Sequence, residues 1–165
     1  MASRTIFDPF TCLKIAPLVS STATLWFAQD QHFFLSLFTN PEIREEADDI
    51  LPRWFEPFFY NGLPRVLVPI TVTASACLAN LRMSGDSLRS KGAFAWYAAG
   101  AVCAIGHLTY VPWVAPPIEN IVKQKTVGRN VEELSIWLKV NALRMMTTDL
   151  GAWVCCLIAV VRTFS

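Results

Sequence analysis

Residues 130–161 read NVEELSIWLKVNALRMMTTDLGAWVCCLIAVV and form the stretch most informative about the fold. Asn130 and Glu133 have the spacing of a capping box, in which the Asn side chain accepts a bond from the first turn and Glu133 reaches back. We therefore expect a helix from Asn130 to about Val161. At about 1.5 Å per residue it exceeds the roughly 30 Å hydrocarbon thickness of a bilayer, so its first turns should protrude or the helix should tilt.

A polar stripe runs along this predicted helix. The residues Trp137, Asn141, Arg144, Thr148, Gly151 and Cys155 recur at spacings of four and three, which places them on one face. A charged side chain at bilayer depth costs about 2.5–3.5 kcal/mol on insertion scales, so Arg144 and Asp149 need partners, water or the membrane surface. We expect the stripe to face the interior of a bundle. A purely structural alternative has Arg144 extending to the headgroups and Asp149 pairing locally.

The composition of the whole chain indicates a membrane protein. Of 165 residues, 53% are apolar and only 16% are charged, against roughly 25% charged in an ordinary soluble domain. The mean hydropathy of +0.39 favours apolar spans that alternate with polar loops. The formal net charge of +1 lacks the basic excess of nucleic-acid-binding proteins, so we expect no nucleic-acid partner.

Three further apolar stretches complete a predicted all-α fold, an integral membrane four-helix bundle in which residues 1–165 form one domain. They are Ile15–Phe38, ending at Asn40-Pro41; Val66–Leu81, following Asn61-Gly62 and kinked at Pro69; and Ala93–Val111, ending at Pro112. The first stretch resembles a signal peptide, but its length indicates a retained span. The loops leave room for one short amphipathic helix.

The predicted loop between the first two spans is acidic and then aromatic. It contains Glu42, Glu45, Glu46, Asp48 and Asp49, followed by residues 54–60, WFEPFFY. We expect the aromatic side chains to lie at the level of the lipid headgroups, where Trp and Tyr are enriched.

An even number of spans places both termini on the same side of the membrane. The basic residues divide equally, with Arg4, Lys14, Arg82, Arg89, Lys91 and Arg162 on the side of the termini and Arg44, Arg53, Lys123, Lys125, Arg129 and Lys139 on the other. The denser basic charge of residues 82–91 favours cytosolic termini. We expect the endoplasmic reticulum or another endomembrane as the location, and the sequence indicates no oligomeric state.

Signatures of metal and cofactor binding are missing from the sequence. The cysteines Cys12, Cys77, Cys103, Cys155 and Cys156 lie in or beside apolar stretches without CxxC spacing, and only two histidines are present. We interpret the cysteines as small core residues and expect no bound metal. No Gly-rich phosphate loop, G-x-S-x-G elbow or H-E-x-x-H motif occurs, so we expect an enzyme of this sequence to work without a bound cofactor.

His32 is a candidate general base. It shares a face of the first predicted span with Leu25 and Gln29. An imidazole, with an unperturbed pKa of about 6.5, can remove a proton from a weakly acidic carbon or phenol in a site that excludes water. The structural alternative is an interfacial histidine that only hydrogen-bonds the backbone.

His107 and Tyr110 form a second candidate pair near the end of the third predicted span. Three residues apart on a helix, they can present two proton-transferring groups to one cavity. Anchoring at the membrane interface explains them equally well, because both side chains have an apolar body and a polar tip and Trp113 lies close by.

Short motifs in the sequence resemble a known family. Pro112-Trp113 and residues 116–120, PPIEN, resemble its proline-rich turn ending in Asn; residues 137–144, WLKVNALR, resemble its helix motif of Trp, His or Asn, and Arg; and residues 54–62 resemble, more loosely, its aromatic stretch. The family consists of small four-helix membrane proteins whose fungal members include anthrone oxygenases of aromatic polyketide pathways.

The resemblance implies a cofactor-free oxidation of an anthrone to an anthraquinone by molecular oxygen. His32 would deprotonate the substrate, while Arg144 and Asn141 would hold the enolate oxygen and Trp137 would stack on the aromatic rings. The predicted substrate-binding residues are Gln29, Trp137, Thr148, His107, Tyr110 and Asn120. The position matched to Asn141 is often His in the family, and an amide can only orient or hydrogen-bond an oxygen.

Two other functions remain open from the sequence. A membrane-bound isomerase or cyclase acting on a polyketide or terpenoid would use the same base and oxyanion donors without oxygen. A non-catalytic membrane adaptor is favoured if Arg144 and His32 face lipid or headgroups instead of one cavity.

Overall fold

A computed structural model describes residues 8–165, and every regular element in that range is helical. The main helices are α1 (Pro9–Ser36), α2 (Arg44–Ser90), α3 (Phe94–Gly106), α4 (Val111–Val122), α5 (Asn130–Arg144) and α6 (Leu150–Phe164). The 3-10 turns Leu37–Thr39, Pro41–Ile43 and His107–Tyr110 and the π turn Met145–Asp149 connect them. The all-α prediction is confirmed, and Arg4, counted above among the basic residues, lies outside the described range.

Within residues 8–165, four helical segments are long and apolar enough to cross a membrane. They are Pro9–Thr39, Pro41–Ser90, Phe94–Val122 and Asn130–Phe164, and we refer to them as spans one to four. Large apolar side chains cover the outside of the bundle; Trp26 is 69% exposed and Val102 is 70% exposed. An apolar exterior of this kind is unfavourable in water and suits lipid.

The first span begins earlier than the predicted Ile15 because Asp8 caps it. The Asp8 carboxylate accepts a hydrogen bond from the backbone N–H of Thr11 (3.1 Å), and Pro9 suits the first helical position. The span ends at Thr39, at the predicted boundary.

The second span contradicts the predicted loop, because α2, which is 47 residues long and kinked at Ser84, is helical through most of the acidic and aromatic stretch. It contains Pro52, Pro57, Pro64 and Pro69. Each proline in a helix interior costs about 3 kcal/mol, and burial of Leu51 and Phe55 in an apolar cluster with residues of α5 offsets part of that cost. The backbone departs from helical geometry at Ser84 instead of kinking at Pro69 as predicted.

The third span continues past its predicted end at Pro112. The 3-10 turn His107–Tyr110 leads directly into α4, and Pro112 lies in the first turn of that helix, where its missing N–H costs nothing. The predicted proline-rich turn at residues 116–120 is therefore helical, with Pro117 buried.

The fourth span begins at Asn130 as predicted, but the capping box is wrong. Asp48 of α2 performs the capping instead: its Oδ1 accepts from the backbone N–H of Val131 (2.8 Å), and its backbone oxygen accepts from the Asn130 side chain (3.1 Å). Glu133 accepts from the Asn120 side chain (3.1 Å) and does not reach back. A partner from another span has replaced the local cap.

The π turn Met145–Asp149 shifts the inward face of the fourth span by one residue. Before the turn, the predicted stripe residues Trp137, Asn141 and Arg144 are buried; after it, the buried residues are Asp149, Ala152, Cys156, Ala159 and Thr163. The predicted stripe positions Thr148, Gly151 and Cys155 are only half-buried. A regular helical period cannot account for the extra residue that a π turn inserts.

In the part of the bundle that lacks buried charges, small residues allow the helices to pack closely. The Sγ atoms of Cys77 and Cys156 lie 3.9 Å apart, and a Cβ atom at Gly100 would lie 3.0 Å from Cys156 Sγ. Cys77 and Cys156 are thus core residues, but Cys12 is exposed, so the interpretation of all five cysteines as core residues is wrong for Cys12.

Candidate active site

Four buried polar side chains form one hydrogen-bonded cluster between the third and fourth spans. The Nδ1 atom of His107 lies 2.7 Å from Oδ1 of Asp149. Arg144 donates from Nε to Oδ2 of Asp149 (3.3 Å) and from its terminal nitrogen to Oδ1 of Asn141 (2.6 Å). Asn141 donates in turn to the backbone oxygen of Ala28 in α1 (3.2 Å). We call His107, Asn141, Arg144 and Asp149 the polar cluster.

Two irregular turns bring these side chains together. The 3-10 turn at the end of α3 places His107 against the fourth span. The π turn brings Asp149 back to the face that carries Arg144, although residues five apart diverge on a regular α-helix. Such π turns occur frequently at functional sites.

An apolar cavity of about 100 Å³ adjoins the cluster. Its lining includes three polar residues, Gln31, His107 and Arg144, and the aromatic residues Phe55, Phe58, Phe59 and Trp137. The edge of the Phe55 ring packs against Trp137, with ring centroids 6.3 Å apart. The volume is comparable to the roughly 150 Å³ cavity that holds a benzene ring in another protein, so one ring or a short chain fits inside.

A groove of about 270 Å³ continues from this cavity between the second and third spans. The two share Phe59, Leu63, Val111, Val114 and Ile118. The groove also contacts Tyr60, Glu119 and Lys123, and Glu119 pairs with Lys123 (2.8 Å). Opposite charges at this end of an otherwise apolar groove suit the boundary between hydrocarbon and headgroups.

The electrostatics of the polar cluster favour a retained charge pair. Asp149 and Arg144 are 3% and 6% exposed, and each charge offsets the cost of burying the other. An ionised Asp149 can only accept hydrogen bonds, so Nδ1 of His107 then carries the proton and donates it, and Nε2 is left as the acceptor of that imidazole. The guanidinium keeps N–H groups beyond the two that Asn141 and Asp149 occupy.

Several predicted site residues lie in or next to the cavity. Trp137, His107 and Arg144 line it, and Asn141 is fully buried and bound to Arg144. The side chain of Thr148 donates to the backbone oxygen of Arg144 (3.1 Å).

The other predicted residues lie elsewhere. His32 is half-buried and is not part of the cavity lining; no group in the described part of the chain hydrogen-bonds its Nδ1. Gln29 lies in an outer groove with Trp26 and Trp153. The Tyr110 hydroxyl pairs with Thr147 (2.8 Å), and Asn120 binds Glu133, as described above; those side chains also lie outside the lining.

The structure adds two residues that the sequence did not single out for this site. Gln31 lines the cavity instead of Gln29, and Asp149 joins His107 to Arg144. The buried face of α1 includes Ser21, Thr24, Ala28, Gln31 and Leu35, whose spacings of three and four were detectable in the sequence.

Known relatives match nearly the whole chain. It is 31% identical over 150 residues to a probable epoxidase, scpX, of Mollisia scopiformis, covering 91% of this chain and 94% of the relative. It is 29% identical over 154 residues to the epoxidase pydX of Acremonium sp, covering 93% and 95%, respectively. It is 27% identical over 147 residues to the oxaleimides biosynthesis cluster protein N of Penicillium oxalicum, covering 86% and 84%.

The fold and the polar cluster define a small helical protein with a buried site and four helices suited to a membrane. The chain belongs to the family of fungal secondary-metabolite proteins that includes these epoxidases. The names of the relatives support an oxygenating enzyme of secondary metabolism. No protein-family model and no solved structure matches the chain.

Proposed function

We propose that this chain oxygenates a conjugated, largely apolar small molecule in the cavity beside His107 and Arg144, and that its product is an epoxide. One observation carries the proposal: a buried imidazole and a buried guanidinium share a cavity that is otherwise almost entirely apolar. The names of the fungal relatives favour epoxide formation.

His107 is the proposed general base in place of His32. Asp149 holds Nδ1 of the ring and thereby directs Nε2 away from itself. A carboxylate in this position also stabilises the imidazolium that forms when His107 accepts a proton. Positioned bases of this kind contribute about 10²–10⁴-fold to rates.

Arg144 is the proposed oxyanion donor. Asn141 and Asp149 hold the guanidinium from two sides, so its remaining N–H groups are oriented before a substrate binds. An enolate or phenolate oxygen that gains charge during deprotonation would be stabilised there in an environment with little water.

The reaction balances without a separate reductant when the substrate is a hydroquinone. His107 removes a proton, and the electron-rich carbon of the substrate forms a bond to dioxygen. The second hydroxyl of the substrate then becomes a carbonyl, and the electron pair of its enol C=C attacks the nearer peroxide oxygen and breaks the O–O bond. That oxygen now bridges two carbons as the epoxide. The other oxygen leaves as water, taking up the proton held by His107 and the proton of the second hydroxyl. A hydroquinone plus O₂ thus gives a quinone epoxide plus H₂O, and the substrate supplies all four electrons. We therefore propose that no cofactor takes part.

Anthrone oxidation is the second candidate, because it begins with the same proton removal and the same stabilised oxyanion. The resulting hydroperoxide loses water and gives the quinone. The cavity of about 100 Å³ favours the first candidate, since one ring fits inside while a three-ring anthrone must extend into the groove.

We also propose that residues 1–165 form one four-span domain of the endoplasmic reticulum or another endomembrane, with cytosolic termini. Four apolar helices support membrane insertion. The apolar groove between the second and third spans supports entry of the substrate from the lipid.

Two probes test the proposed reaction in membranes of a yeast that expresses the chain. Under ¹⁸O₂, with a chelator and no added reductant, we expect the single-ring probe 2,3-dimethylhydroquinone to give an epoxide carrying one labelled oxygen. Spontaneous oxidation gives the quinone and hydrogen peroxide, and the peroxide can epoxidise the quinone, so the assay contains catalase and membranes without the chain provide the baseline. Emodin anthrone as the preferred substrate would favour the second candidate. Turnover of neither probe above the baseline, or turnover that returns only with added metal, would contradict the proposal.

A further inference from the structure

Gln31 is a buried polar residue that the proposed reaction does not use. It is 7% exposed and lies on the inward face of α1, between Ala28 and Leu35. Its side chain lines the same cavity as His107 and Arg144. The other buried positions on this face of α1 are occupied by small or apolar residues. Among the described residues that line the cavity, Gln31 is the only one with an amide side chain.

The amide oxygen of Gln31 is buried and has no hydrogen-bond partner among residues 8–165. A buried acceptor without a partner destabilises a fold by about 1–3 kcal/mol, because it has given up its bonds to water. A hydrophobic residue of the same size would avoid this cost. Native proteins retain such groups mainly where a ligand or a bound water supplies the missing hydrogen bond.

We infer that Oε1 of Gln31 accepts a hydrogen bond from an N–H or O–H group of the substrate, close to the reacting carbon. The inference rests on the proposed function only in treating the cavity as the reaction site. His107 and Arg144 would act on the carbon and on the developing oxyanion, while Gln31 binds a donor and fixes the orientation of the substrate. The substrate would then be an apolar molecule with one donor group at its reacting end.

Asn80 provides a matched comparison because the nitrogen of its buried amide makes two hydrogen bonds within the protein. Asn80 is 1% exposed, and its side-chain nitrogen donates to the backbone oxygens of Leu13 (2.8 Å) and Ala76 (2.8 Å). Substitutions at the two residues therefore distinguish an amide that binds a ligand from an amide that stabilises the fold.

The first experiment compares the thermal unfolding of Gln31→Leu and Asn80→Leu in lipid nanodiscs without added ligand. We expect Gln31→Leu to unfold at the same temperature as the unmodified protein or higher, because it removes an unpaired acceptor. We expect Asn80→Leu to unfold at a lower temperature, because it leaves two backbone oxygens without their donor. A loss of stability in Gln31→Leu as large as that in Asn80→Leu would overturn the inference.

The second experiment measures the binding of N-methylcrotonamide, which carries an N–H, and of N,N-dimethylcrotonamide, which does not. We expect the unmodified protein to bind the first roughly 3- to 10-fold more tightly, the effect of one neutral hydrogen bond. In Gln31→Leu this preference should disappear, while Asn80→Leu should keep it. Equal binding of the two probes by the unmodified protein, a preference that persists in Gln31→Leu, or no binding of either probe would overturn the inference.

Neither experiment requires turnover, so the two proposals can fail separately. If both probes of the oxygenation assay stay unreacted while the preference for the N–H probe depends on Gln31, the ligand site stands and the reaction is wrong. If oxygenation proceeds with an unchanged KM in Gln31→Leu, the reaction stands and the role of Gln31 is wrong.

Discussion

His107 and Asp149 are 42 positions apart in the sequence, yet Nδ1 of the imidazole lies 2.7 Å from Oδ1 of the carboxylate. Both side chains are buried, and Oδ2 of the same carboxylate binds Arg144. One carboxylate thus orients both the proposed base and the proposed oxyanion donor. Substitutions in this arrangement should separate the loss of the base from the loss of the charge pair.

Asp149→Asn should impair both activity and stability. The amide cannot stabilise a protonated His107, and it leaves the buried Arg144 without a counter-charge, which costs about 3 kcal/mol or more. We expect turnover to fall by about 100-fold or more and the unfolding temperature to fall with it. Turnover by membrane preparations and thermal unfolding in nanodiscs measure the two effects. Normal turnover would show that the carboxylate does not support the base.

Arg144→Lys should fall between the unmodified protein and Arg144→Ala in turnover. Lysine keeps the positive charge but loses the planar fork that binds Asn141 and Asp149 together. Alanine removes the oxyanion donor altogether and leaves Asp149 unpaired. The measurement is kcat for both variants at equal amounts of inserted protein. Equal activity of the two variants would argue against a role for the charge.

Val111→Trp should obstruct the substrate without unfolding the protein. Val111 lines both the cavity and the groove and is half exposed, so a larger side chain meets open space instead of packed core. We expect kcat/KM to fall by about tenfold or more. Val68→Trp is the control, since Val68 is 60% exposed and lines neither space. A similar loss in both variants would point to a general effect on membrane insertion.

Asp48→Ala should destabilise the protein by about 1–2 kcal/mol, because Val131 N–H and the Asn130 side chain lose a buried acceptor at the start of α5. Asp49→Ala changes the exposed neighbour and should have little effect. Thermal unfolding of the two variants provides the comparison. Equal stability would show that the contact between α2 and α5 contributes nothing.

Sequence reasoning recovered the helices but not their continuity. Apolar runs long enough to cross a bilayer identified the four spans because membrane helices satisfy their own backbone groups. The helix boundaries predicted at Asn61-Gly62 and Pro112 do not occur, because tertiary packing can stabilise a helix through such residues. Gly62, for example, is buried, and a Cβ atom there would lie 3.9 Å from the Phe27 ring.

The candidate site was only partly predictable for a related reason. The spacing of Trp137, Asn141 and Arg144 placed them on one face, and all three are buried. No local sequence pattern predicted the π turn, which brings Asp149 onto that face. The pairing of Asp149 with His107 depends on the packing of two spans, which a single sequence does not specify.

The most direct test of the central claim compares His107→Ala with His32→Ala in the oxygenation assay. The structure favours His107, which lines the cavity and pairs with Asp149, whereas the sequence alone favoured His32. We expect His107→Ala to lower the rate of labelled epoxide formation by about 100-fold or more while His32→Ala retains most of it. A large loss in His32→Ala together with near-normal turnover by His107→Ala, both fully inserted, would contradict the account.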